Sequence, residues 1–253
     1  MTNIHHLNAG WLHAPPNPKA SCHCLVLEER DRLVVVDTGI GLQDVRDPEG
    51  RLGRTLIELA GFQFSEQDTL VRQLEGRGWS AAAVTDIVLT HADPDHAGGL
   101  ADFPDAAIRM SSEELAALAA GDVRYVESQF SHGPRWKPCD AARSTDWFSL
   151  PARPLDLGLQ SQVLLIPLFG HTRGHCGVAI EQGSQWLLHV GDAYYLRVEL
   201  TDDQHPVGQL AALRAADDAR RRESLSQLRR LARDHAREVQ LVGYHDVAEL
   251  PDG

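Results

Sequence analysis

The chain is short of cysteine, has no long apolar run and carries no excess of positive charge. Each lack closes off a class of protein. Four cysteines (Cys22, Cys24, Cys139 and Cys176) stand scattered in 253 residues with no Cys-x-x-Cys pair, so neither a disulfide framework nor a thiolate zinc knuckle is indicated. In Cys22-His23-Cys24 the strand period of two puts both thiols on one face, and buried free thiols are the expectation there. No stretch approaches the roughly 18 apolar residues of a membrane span. The opening Met1-Thr2-Asn3-Ile4-His5-His6 has neither the basic nor the apolar region of a secretory signal. Reduced thiols in a cytoplasmic protein are therefore expected. The formal net charge is −12, and phosphate backbones bind basic surfaces. Nucleic acid is not an expected partner; a small-molecule substrate is. Phosphate-ester chemistry is disfavoured but not excluded, since metal ions can supply positive charge locally. Oligomeric state is not encoded in any pattern here.

What is present suits a globular domain. Hydrophobic residues at 43% against 24% charged allow a sizeable core, and the length fits one large domain or two fused halves. Residues 25–27 and 33–36 flank a charged stretch and read as a hairpin, ended by Asp37-Thr38-Gly39. Residues 40–63 are mixed and glycine-containing, and read mostly as loop. Residues 65–74 read as a helix capped by Ser65. Short apolar strands are expected at 87–89, 107–110, 163–168, 178–181, 186–190 and 239–242. Ser111 with Glu114 forms a capping-box pattern for a helix through Ala120. Residues 121–156 are aromatic and irregular, and so long a loop is ordinarily functional, which suggests a pocket-covering insertion. Residues 208–237 alternate arginines with Leu225, Leu228, Leu231 and Ala232, an amphipathic helix whose arginines form the solvated face. There is no internal repeat and no linker, so a single domain over 1–253 is expected, an α/β sandwich of two β-rich halves.

The chemistry-bearing residues share one position. His91-Ala92-Asp93-Pro94-Asp95-His96, His171, Asp192 and His245 each follow the C-terminal end of an apolar strand, where open α/β sheets build sites. Imidazole with carboxylate is the donor mixture that zinc, iron and manganese take. One such histidine alone is ordinarily packing; four such features together are not.

These residues resemble the metallo-β-lactamase superfamily. His91-x-Asp93-x-Asp95-His96 is similar to its HxHxDH motif, and Gly170-His171-Thr172-Arg173-Gly174-His175 to its GHTxGH element. Gly191-Asp192, Tyr244-His245-Asp246 and Asp37-Thr38-Gly39 match further elements in order. The resemblance spans roughly residues 20–246 and implies an αββα sandwich with a metal site between the sheet edges. It further implies two divalent ions. His91, Asp93 and His171 would hold one, Asp95, His96 and His245 the other, and Asp192 would bridge them. His175 and Asp37 would orient ligands rather than bind. Tyr195, three residues after Asp192, resembles the tyrosine that N-acyl-homoserine lactonase-like members place beside the substrate carbonyl.

Position 93 departs from the family, which usually has histidine there. Asp93, Asp95, Asp192 and a bridging hydroxide would bring four negative charges against four positive. An extra anionic ligand makes the ions weaker Lewis acids and favours harder metals, so manganese or iron stand beside zinc, the first choice. Aspartate is also the shorter side chain, which leaves open whether one ion binds or two. The implied activity is hydrolysis of an ester or lactone by a metal-bound hydroxide, with Asp95 shuttling a proton to the leaving group. Iron-dependent redox chemistry on the same fold, or hydrolysis of phosphodiesters or β-lactams, are the alternatives.

Overall fold

The computed structural model describes residues 2–251. The expected hairpin is there, preceded by a strand that sequence reading did not single out. Strands β1 (Asn3–Leu12), β2 (Ala20–Glu29), β3 (Arg32–Val36), β4 (Phe62–Gln63), β5 (Val84–Val88), β6 (Ala107–Ser111) and β7 (Arg135–Cys139) form one sheet, in the order β4-β1-β2-β3-β5-β6-β7. Strands β8 (Thr145–Trp147), β9 (Leu150–Leu155), β10 (Val163–Pro167), β11 (Cys176–Gln182), β12 (Gln185–His189) and β13 (Val239–Val242) form the other, in the order β13-β12-β11-β10-β9-β8. Both sheets are mixed. The β3, β5, β6 and β7 neighbours run parallel, as do β12 and β13.

Side-chain alternation assembles four layers. Leu25 and Leu27 of β2 and Val34 and Val36 of β3 pack against Val163, Leu165, Val178 and Ile180 of the second sheet. The intervening Cys22, Cys24 and Val26, with Val35, point the other way, into the core beneath the helices of the first half. Both thiols are thus buried and free, on one face as the period of two requires. On the far side, Leu164, Ile166, Ala179 and Leu188 receive Leu225, Leu228 and Leu231 from a long helix. The result is the αββα sandwich.

Four local expectations are corrected. Residues 40–63 are not mainly loop: they hold α1 (Leu42–Arg46), α2 (Pro48–Leu52) and α3 (Arg54–Ala60). Each is too short to show a 3.6-residue stripe. The helix expected at 65–74 is a 3₁₀ turn, Glu66–Asp68, followed by α4 (Leu70–Gly76), and Ser65 makes no side-chain cap. After the four-residue α5 (Pro94–Ala97) and α6 (Ser112–Ala119), the single helix expected over 208–237 is two, α7 (Val207–Arg214) and α8 (Asp218–Asp234). The break has a cause: Ala216 and Asp217 donate their N–H groups to the carbonyls of His171 and Gly170, and the Asp217 side chain caps α8 through Arg220 N–H. Residues 121–156 are partly ordered as β7, β8 and all of β9; β7 and β8 lie at sheet edges and β9 beside β8, with polar residues or prolines that hide the strand period. No helix among the described residues is long and apolar enough to cross a membrane.

Candidate metal centre

Every residue singled out along the chain arrives at one place, because the strands that carry them end together. β5 delivers Thr90-His91, α5 carries Asp95 and His96, β10 leads to Gly170-His171, β12 to Gly191-Asp192 and β13 to Gly243-Tyr244-His245. His91, His171 and Asp192 form one cluster with donor atoms within 4.8 Å of one another; Asp95, His96 and His245 form a second. Asp192 links them. Its Oδ1 lies 3.2 Å from His96 Nε2, and its Oδ2 lies 3.4 Å from His171 Nε2 and 3.3 Å from His245 Nε2.

The scaffold fixes which nitrogen faces inward. A carbonyl oxygen can only accept, so His245 Nδ1, 2.8 Å from Ser21 O, carries a proton there and turns Nε2 to the centre. His96 Nδ1 is held by Asp37 Oδ2 at 2.9 Å. The hydroxyl of Thr90 donates to the same Asp37 oxygen and so can accept from His91 Nδ1 at 3.0 Å. Asp37 joins neither cluster; it orients His96 directly and His91 through Thr90. His175 behaves likewise: Nδ1 donates to Leu168 O, and Nε2 accepts the N–H of Asp192. Tyr244 stacks on His96 at 3.7 Å between ring centroids and donates its hydroxyl to Asp95 O.

The centre is a buried array of unpaired donors. Nε2 of His91, Nε2 of His96 and Oδ1 of Asp192 are buried with no hydrogen-bond partner, and buried polar atoms are ordinarily paired. Burial opposes the charge of Asp192, but His245, His96 and His171 outweigh it and hold the carboxyl well below its usual range. Burial likewise disfavours a charged His96, and Asp192, Asp95 and Asp37 overcome it, raising the imidazole well above its usual value. A divalent cation is the species that satisfies orphaned imidazole nitrogens and converging carboxylates together.

Asp93 is where the geometry departs from expectation. Its carboxylate reaches the first cluster, with Oδ2 3.4 Å from His91 Nε2 and 3.1 Å from His171 Nε2. It is also clamped by Arg124, Nε to Oδ1 at 2.7 Å and Nη2 to Oδ2 at 2.6 Å, a bidentate charged pair. Burial would raise the Asp93 pKa, but the guanidinium more than compensates and holds it well below the usual range. The charge count made from the acids alone is therefore wrong by one: Arg124 cancels Asp93. The carboxylate that prompted an iron or manganese reading is already neutralised.

Two residues of the site were not found from the sequence in their actual roles. Arg124 lies in the irregular segment, 31 positions from Asp93, with no motif to mark it. Glu114 was read as the partner in a capping box. Ser111 Oγ does accept the Glu114 N–H, but the Glu114 carboxylate turns inward. Its Oε1 accepts from Ala92 N–H at 3.0 Å and Tyr125 O–H at 2.8 Å, and its Oε2 from Thr172 O–H at 2.6 Å and Gly174 N–H at 2.9 Å. One buried carboxylate thus ties the loop of His91 to the loop of His171. The same closeness explains Gly174, where a Cβ would collide with the Glu114 backbone, and Gly170, where it would collide with Arg221.

A cavity opens over the centre. Asp93, Asp95, Asp192 and His245 lie at its polar end, and Leu12, Leu56, Leu59, Ala60, Phe62 and Leu210 form an apolar wall. None of the lining residues falls within 121–156; what that segment brings to the site is Arg124. The ring of Tyr195 lines the cavity with its centroid 5.4 Å from that of His245 and 5.9 Å from that of His171. Burial and then the Asp192 charge raise its phenol well above the usual value, so it keeps its proton at neutral pH and can donate a hydrogen bond. His5, His6, His13, His189, His205 and His235, which no sequence motif marks, have no place in either cluster.

The family model of the metallo-β-lactamase superfamily matches residues 18–243. The chain belongs to the metallo-β-lactamase superfamily. Among curated relatives, the "probable metallo-hydrolase" proteins of Mycobacterium tuberculosis and Mycobacterium bovis are each 41% identical over 202 residues, 77% of this chain and 63% of theirs. The chain thus spans less than two thirds of the length of those relatives. Among solved structures, an N-acyl homoserine lactone hydrolase with N-hexanoyl-L-homoserine at its catalytic metal centre superposes with a TM-score of 0.74 at 20% identity, covering 97% of this chain and 93% of that one. AiiA of B. thuringiensis with N-decanoyl-L-homoserine gives 0.74 at 21% identity, with the same coverages. These structures establish a shared fold. Superfamily membership and the two donor clusters imply divalent-metal binding.

Proposed function

We propose that this member of the superfamily is a metal-dependent hydrolase of carboxylic esters or lactones with an apolar acyl portion. The observation that carries the reading is the juxtaposition of two donor clusters sharing Asp192, a tyrosine donor beside them, and an apolar wall leading away. His91, His171 and Asp192 would hold one divalent ion, with Asp93 beside it; Asp95, His96, His245 and Asp192 would hold the other. Zinc is the ion of choice for these imidazole-rich sets, since Arg124 already neutralises the carboxylate that argued for harder metals. When bound, such ions supply a water nucleophile at neutral pH and Lewis acidity toward a carbonyl oxygen.

The residues of the chain supply the rest. The apolar wall takes the acyl chain out of water, and the fixed scaffold holds the scissile carbonyl at the polar end. Tyr195 donates its phenolic O–H to the carbonyl oxygen as negative charge grows there. Asp95 takes up the proton that the attacking water loses and passes it to the leaving oxygen as the acyl–oxygen bond breaks. A lactone is the sharper version of the substrate, supported by the Asp192–Tyr195 spacing and by what the structurally similar lactone hydrolases bind. The redox alternative loses its motive once Asp93 is paired with Arg124. A panel of lactones, p-nitrophenyl esters and phosphodiesters tests the proposal on protein of measured metal content. Tyr195→Phe should lower kcat on the best carbonyl substrate by about 10²-fold or more, the scale of one lost oxyanion donor, with metal content unchanged. A marked preference for phosphodiesters, or full activity in Asp192→Ala, refutes it.

A further inference from the structure

The two donor clusters are not equivalent, and the difference lies in one side chain. The second cluster is open: Asp37 and Ser21 O hold Nδ1 of His96 and of His245, so each Nε2 faces only the carboxylates of Asp95 and Asp192, with no guanidinium between them. The first is already engaged. Arg124 Nη2 lies 2.6 Å from Asp93 Oδ2 and 3.2 Å from His171 Nε2, and Asp93 Oδ2 is itself 3.1 Å from that nitrogen. His171 Nδ1 is buried without a partner, so no outer hydrogen bond sets its tautomer. If Nε2 is bare, it accepts from Arg124; if it is protonated, it donates to Asp93. In either tautomer the atom that a metal needs is occupied. The guanidinium is itself anchored, donating from Nη1 to His171 O at 2.9 Å and Arg214 O at 3.2 Å.

We propose that Arg124 acts as a resident cation of the first cluster, so that this protein binds one divalent ion tightly through Asp95, His96, His245 and Asp192 and a second only weakly. An ion entering between His91, His171 and Asp192 must displace a bidentate ion pair and sit within a few ångströms of a permanent positive charge. An ion entering the second cluster does neither. The inference rests on the metal-site reading above and adds an order of affinities to it.

The test uses equilibrium dialysis against buffered Zn²⁺ with elemental analysis, and calorimetric titration of the metal-free protein. Wild type should take up one equivalent tightly and the second at least about tenfold more weakly. Arg124→Met frees Asp93 and His171, and should tighten the second equivalent at least about tenfold while leaving the first unchanged. Asp93→Asn keeps the cation and removes its counter-charge, so it should weaken the second further; it serves as the second variant should Arg124→Met not fold. Equal affinities for two ions in wild type, or an unchanged ratio in both variants, overturns the proposal. No tight zinc in any of the three proteins overturns the metal-site reading itself. Loss of the tight equivalent in His96→Ala with the weak one retained is the further result expected if the order of the clusters is as assigned.

Discussion

Glu114 offers the most demanding test of how the centre is held. Its side chain is fully buried and accepts four hydrogen bonds, two on each oxygen. Glu114→Gln preserves shape and volume but replaces one acceptor oxygen with an NH₂ group. Whichever way the amide turns, its NH₂ group then faces one backbone N–H, that of Ala92 or that of Gly174, while the hydroxyl beside it, of Tyr125 or Thr172, can rotate to accept. A hydrogen bond to a charged group contributes about 1.5–3 kcal/mol, and a stranded buried donor costs about 1–3 kcal/mol in desolvation. Together these amount to about 3–6 kcal/mol. At about 2–4 °C per kcal/mol for a domain of this size, the melting temperature should fall by roughly 10 °C. The damage should be directional, because each oxygen serves one metal-binding loop. The loops of His91 and His171 lose their common anchor, so the weaker metal equivalent should suffer more than the tight one. Thermal denaturation followed by circular dichroism, at a fixed zinc concentration and again with chelator, measures both effects. A Glu114→Gln protein melting within about 2 °C of wild type, with unchanged zinc binding, would refute the argument that this carboxylate ties the loops together.

Acid sensitivity should trace to His23. Its Nδ1 donates to Gly243 O and its Nε2 meets His6 Nδ1 at 2.8 Å. Burial, then the neighbouring His189 and His6, depress its pKa from 6.5 to about 3. The native state therefore binds fewer protons than the unfolded one. The stability His23 contributes is whole above pH 6.5 and is lost as pH falls toward 3, by up to about 1.4 kcal/mol per pH unit. Urea denaturation of metal-free protein between pH 7 and 5 should give a profile about 2 kcal/mol flatter in His23→Asn than in wild type; parallel profiles would show that His23 is not held neutral by the fold. Substrate reach is checked at Leu59, which lines the cavity while 67% exposed. Leu59→Glu should cost roughly tenfold in kcat/KM on long-chain acyl esters, the worth of about two buried methylenes. It should spare acetyl esters and the melting temperature, and an equal loss on both substrates would place the acyl chain elsewhere.

Local sequence was informative where one residue's environment is set by its near neighbours. The strands at 87–89, 163–168, 186–190 and 239–242 are apolar on both faces because they lie between layers, and short apolar runs read as buried strands without further help. The short helices over 42–60 and the edge strands β7 and β8 escaped notice for the converse reason: few of their residues are buried, so no periodic stripe is written into them. In β9, Leu150 and Ala152 are buried, but Pro151 and Pro154 mask the strand.

The sequence by itself picked out the candidate donors. His91, Asp95, His96, His171, Asp192 and His245 sit at strand ends in a recognisable order, and they meet because β10, β12 and β13 run the same way and end at one edge. Only the tertiary structure decided what Asp93 and Glu114 do. Each depends on a partner from another element, Arg124 in one case and the loops after β5 and β10 in the other. A carboxylate reads the same along the chain whether it faces a metal, an arginine or four backbone and side-chain donors. The difference is made by the low-dielectric interior, where a charge takes the partner that folding puts within 3 Å of it.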